Sequence, residues 1–72
     1  MSEWLSTKAR NVLGALVRIG WRFKSEAGGS HRVLACEEWP DFIFAFHDAD
    51  EIGPRMLARI ARRTGLRPED LQ

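Results

Sequence analysis

Residues Trp21 to His47 read WRFKSEAGGSHRVLACEEWPDFIFAFH, and three stretches of this segment carry the signal for a sheet. Trp21-Arg22-Phe23-Lys24 alternates apolar and basic with period two, which predicts a half-buried strand with one basic face. His31 to Cys36 alternates again, placing His31, Val33 and Ala35 on one face and Arg32, Leu34 and Cys36 on the other. Phe42 to His47 is the third predicted strand. Its Phe42, Phe44 and Phe46 share a face and are expected to form the largest part of the core. Glu26 to Ser30, with its paired glycines, makes the first turn. Glu37-Glu38-Trp39-Pro40-Asp41 reads as the next loop, because proline and a charge run break the pattern. His47-Asp48-Ala49-Asp50-Glu51 reads as a third connection.

Outward from this segment the period changes to that of a helix. Ser6 is the expected N-cap of a first helix over 7–19, with Ala9, Val12, Leu13, Leu16 and Val17 at helical spacing and Gly20 as its stop. Downstream, Gly53 caps a second helix and Pro54 takes its first position, where a missing N–H costs nothing. Ile52, Met56, Leu57, Ile60 and Ala61 give its buried stripe, and Gly65 ends it. Residues 67–71 suit one further turn. The predicted order is α-β-β-β-α. That is an α+β fold: a three-stranded antiparallel sheet with two helices packed on one face, laid out like a double-stranded-RNA-binding domain.

Seventy-two residues make a single domain over 1–72. A chain this short buries only about 60% of its unfolded surface, so chemistry belongs on an open face and the substrates that fit are polymers. Cys36 is the single cysteine, which excludes an internal disulfide and fits a reducing, cytoplasmic compartment. Cys36, His31 and His47 are too few soft ligands for a structural zinc, and neither metal nor cofactor is expected. No apolar run approaches the roughly 20 residues of a membrane span, and the N-terminus lacks the apolar core of a signal peptide. Net charge is +1, but its distribution is uneven. Residues 1–36 hold six Lys/Arg and two acids, 37–52 six acids and no Lys/Arg, and 53–67 five arginines and no acid. Such an arginine block meets phosphates or forms a solvated helix face.

His31 is the candidate for chemistry. An imidazole exchanges protons near pH 7, and RNA cleavage without metal needs a base for the 2′-hydroxyl or an acid for the leaving 5′-oxygen. Gly28 and Gly29 leave backbone N–H groups open to phosphate, Ser30 adds a hydroxyl and Arg32 a charge. A glycine turn also simply closes a hairpin. His47-Asp48 is either an oriented imidazole or loop chemistry. Trp21 and Trp39 either stack on bases or cover the core. Cys36 reads as an inert strand residue.

The order and motifs together resemble the HicA family of small bacterial toxins. The resemblance rests on a first helix ending in Gly20-Trp21, then Gly29-Ser30-His31, then a strand ending at His47. Ile52-Gly53-Pro54 follows, opening a helix that closes with Thr64-Gly65-Leu66. It spans residues 6–71. It implies an mRNA interferase with a double-stranded-RNA-binding-like fold, held inactive by a HicB-type antitoxin. By position the family's catalytic histidine falls on His31, and Gly29 and Ser30 match the residues before it. No family role carries over with His47. Many members have a second histidine where this chain has Arg32, and a basic loop where Glu37 to Asp41 is acidic. The expectation is a metal-independent endoribonuclease in which Lys24, Arg32, Arg55, Arg59, Arg62 and Arg63 attract RNA and His31 transfers the proton. The alternatives are a non-catalytic RNA-binding module of the same fold and a pure protein-interaction domain.

Overall fold

Three strands form the expected antiparallel meander. Strands β2 (Arg22–Glu26), β3 (His31–Cys36) and β4 (Trp39–Ala45) lie in the order β2-β3-β4. They are preceded by a two-residue strand β1 (Thr7–Lys8) and helix α1 (Ala9–Arg18). They are followed by β5 (Glu51–Ile52), helix α2 (Pro54–Thr64) and a 3-10 turn at Pro68–Leu71. The computed structural model describes residues 3–26 and 30–72. The turn glycines Gly28 and Gly29 therefore lie outside the described residues.

Register divides the sheet into two unlike faces. His31 pairs with Ala45, Arg32 with Phe44, Val33 with Ile43 and Leu34 with Phe42. Paired residues share a face, so Leu34, Phe42 and Phe44 turn toward the helices. Leu34 and Phe44 are fully buried against Val12, Ala15 and Leu16 of α1 and Leu57 and Ile60 of α2. On the other face Ile43 is 58% exposed, so no helix covers it.

Trp21 joins the sheet to α2. It is 1% exposed, and its indole N–H donates to the Thr64 carbonyl at 3.0 Å. A large ring with one polar atom suits a buried joint, provided that atom finds an acceptor. Gly65 then ends α2 in the left-handed region at φ 79°, its N–H donating to the Ala61 carbonyl at 2.9 Å. A Cβ there would come 3.0 Å from the Trp39 ring, so this position wants glycine for its backbone and for its neighbour.

Several expectations need correction. Trp39-Pro40-Asp41 is strand, and the turn before it is only Glu37-Glu38, with Glu38 at φ 71°. Proline is tolerated because β4 is an edge strand. β4 stops at Ala45, leaving His47 beyond it. β2 starts at Arg22, and all of its residues are exposed, Phe23 at 57%. It is an outer strand, and the burial expected of its apolar face falls on Trp21 just before it. Of the three phenylalanines only Phe44 is fully buried, while Phe42 and Phe46 are half-covered. α1 begins at Ala9, since Thr7 and Lys8 pair with Ile52 and Glu51. Its cap is not the Ser6 side chain. The Ala9 and Arg10 N–H groups donate to the carbonyls of Asp50 and Asp48 at 2.8 and 3.1 Å.

Candidate nucleic-acid interface and the His31 edge

His31 opens β3 on the uncovered sheet face, exposed, beside Val33 and across from Ala45. Among the described residues no hydrogen bond or ion pair engages its imidazole. The sheet fixes its backbone while solvent reaches its ring. Ser30 is half-buried immediately before it. Gly29 is outside the described residues.

Arg32 follows His31 in the chain, and strand alternation sends it to the opposite face. Its side chain is 21% exposed and binds Asp48 Oδ1 at 3.1 Å, while its other terminal nitrogen is buried without a partner among the described residues. The pair anchors the turn after β4, where Asp50 Oδ2 accepts the His47 N–H at 2.9 Å. This charge is committed inside the molecule. Lys24 is also paired, at 2.6 Å to Asp41 Oδ2 across the sheet. That pair is solvent-accessible, and such pairs hold together by only about 0–1 kcal/mol.

The arginines of α2 differ. Arg55, Arg59, Arg62 and Arg63 are exposed, and among the described residues no carboxylate pairs with them. Arg55 with Arg59 and Arg59 with Arg63 are like charges at i,i+4, each costing the helix about 0.2–0.5 kcal/mol. Arg62 and Arg63 regain some of this at the helix C-terminus. Arg55 sits at the wrong end for that compensation. Arg55, Arg59 and Arg62 border one hollow of about 640 Å³ with Met56 and Ala58. Arg59, Arg62 and Arg63 border another of about 470 Å³ over Phe42 and Ile60. The two hollows share Arg59 and Arg62, and this arginine-lined surface is the basic furrow of the molecule.

The Trp39 end of the furrow lies away from the imidazole. The C-terminal end of α2 abuts Trp39 through Gly65, and Trp39 pairs with Cys36, the end of β3 away from His31. These are the two ends of the six-residue strand, five steps apart, about 16 Å at 3.3 Å per step. A ligand engaging that end and His31 together must be extended. Among the described residues no three His, Cys, Asp or Glu side chains come together, and no helix is long and apolar enough to cross a membrane. Sequence reasoning singled out the arginine block and His31, and the structure places both exposed, on α2 and at the start of β3. It missed the intramolecular pairing of Lys24 and Arg32, which becomes visible only once the strand register and the turn after β4 are known.

A two-helix, three-stranded α+β fold, with an exposed histidine at a strand start and a basic helix, defines a small domain laid out like the double-stranded-RNA-binding domains. The family model described as HicA toxin of bacterial toxin-antitoxin matches residues 9–66, from the first residue of α1 to the buried Leu66. The chain belongs to the HicA toxin family, whose members are mRNA-cleaving toxins. Comparison with curated proteins gave no match.

Proposed function

We propose that the chain, acting as one HicA-like domain in the cytoplasm, is a metal-independent endoribonuclease that cleaves mRNA with His31 and is silenced by a HicB-type antitoxin. The observation that carries this reading is the exposed imidazole at the first residue of β3, without a partner among the described residues, in a chain whose family cleaves RNA. The 2′-oxygen gives up its proton and bonds to phosphorus. The P–O5′ bond breaks, and the departing 5′-oxygen takes a proton. The products are a 2′,3′-cyclic phosphate and a 5′-hydroxyl. Neutral imidazole serves the first proton transfer and imidazolium the second, and water completes the other half. Each needs only a proton carrier titrating near neutral pH.

Attraction comes from elsewhere. Arg55, Arg59, Arg62 and Arg63 supply the sequence-independent term of RNA affinity. Lys24 joins them only by leaving Asp41, and Arg32 acts by holding the turn after β4. The uncovered face, with Val33, Ile43 and Ala45 beside His31, supplies an apolar landing for an antitoxin that blocks the histidine.

The test pairs wild type with His31→Ala on a single-stranded RNA, reading cleavage and binding separately. The expected result is loss of cleavage with affinity retained, and cyclic-phosphate ends on the wild-type products. A 3′-hydroxyl end sinks the mechanism. Binding with no cleavage by wild type makes the chain an RNA-binding module.

A further inference from the structure

Two tryptophans meet where the sheet joins α2, and they are covered unequally. Trp21 is buried. Trp39 remains 40% exposed although it is tightly held. It opens β4 in register with Cys36, its ring centroid lies 6.2 Å from that of Trp21, and Gly65 abuts its six-membered ring. The exposed part borders a groove of about 190 Å³, shared with Pro40, Asp41, Phe42, Arg62 and Arg63. Asp41, the acid in that lining, is already bound by Lys24. Arg62 and Arg63 have no carboxylate partner among the described residues and also border the larger hollow next to it. The groove therefore combines a fixed aromatic surface with two uncommitted guanidinium groups.

We propose that this groove is a second nucleotide subsite, which stacks an unpaired base of single-stranded RNA on Trp39 and holds the adjoining phosphates on Arg62 and Arg63. The proposal rests on RNA being the ligand of the basic furrow. Bases stack on aromatic rings whatever their identity, and guanidinium groups take phosphate oxygens in bidentate fashion. Because Trp39 is pinned before the ligand arrives, little ordering remains to oppose binding. The subsite lies about 16 Å along β3 from His31, so it grips the strand away from the bond being cut. RNA fits better than a protein here. The lining sets the apolar surface of Trp39, Pro40 and Phe42, which suits a base, beside two guanidinium groups, which suit its phosphates.

The experiment uses the full chain and a short 2′-O-methyl oligonucleotide, which binds without being cleaved. An abasic site is moved along this probe one position at a time. In wild type one position should weaken binding roughly tenfold or more, and that penalty should vanish in Trp39→Leu. A probe carrying 5-bromouracil at that position should photocrosslink to Trp39 in the wild-type protein, a readout that does not depend on the variant folding. Arg62→Gln with Arg63→Gln should weaken every probe alike. A flat abasic scan, or a crosslink mapping elsewhere, overturns the subsite. Unchanged affinity in the double arginine variant overturns it too and leaves the groove to a protein partner. Failure of the catalytic reading is separate, showing as cleavage that survives His31→Ala whatever the abasic scan gives.

Discussion

Three cations around the sheet and the four on α2 have opposite fates. Lys8, Lys24 and Arg32 each end on a carboxylate, at 3.5, 2.6 and 3.1 Å. Arg55, Arg59, Arg62 and Arg63 share one helix, repel each other and meet no carboxylate among the described residues. A block with no structural employment is available to an outside anion, whereas a scattered set paired within the fold is not. Counting basic residues along the chain treats both groups alike, and the register of the sheet separates them.

Breaking the chemistry while leaving both sets of cations intact should give the largest effect. His31→Ala is expected to lower the cleavage rate about 10²–10⁴-fold, measured at saturating RNA, with binding in filter or anisotropy assays unchanged. Next comes Trp21→Ala, which undoes the joint between the sheet and α2. Cavity formation and the orphaned Thr64 carbonyl should cost about 3–5 kcal/mol, read from denaturant melts. Arg59→Gln with Arg62→Gln should weaken binding to all RNA sequences. The slope of log K against log salt should fall by about 0.7 per arginine for a single strand, with turnover at saturation retained. Lys24→Gln should change affinity and melting least, by about 1 kcal/mol or less. If the lysine variant rivals the arginine pair, the contrast between committed and free cations is wrong.

What was legible in the chain was local. Pro54 and Gly65 mark α2 because each signals through its own backbone, and the alternation of His31 to Cys36 places β3 at its observed ends. Trp39-Pro40-Asp41 hid as a loop because proline and charge are poor strand formers, and only its place on an edge makes the strand possible. Glu38 takes a left-handed turn position without being glycine or asparagine, so no turn signal flagged it. β1 and β5 are two residues each and join positions far apart in the chain. No periodicity window finds such a pair. At the candidate site, His31 stands out by its residue type and its place after Gly28-Gly29 in the sequence, and the structure adds its exposure at the start of β3. The silence of Arg32 was not legible, because it depends on a carboxylate contributed from beyond β4.

The way α1 is capped bears on the order of folding. Its first two N–H groups are satisfied by carbonyls of Asp48 and Asp50, and a ten-residue helix is marginal alone in water. Synthesised before its acceptors, this helix lacks them until the turn after β4 has been made and the long loop between them has closed. The sheet edge that carries His31 is subject to the same order, since β3 presents it beside Ala45 only once β4 has been made and has paired.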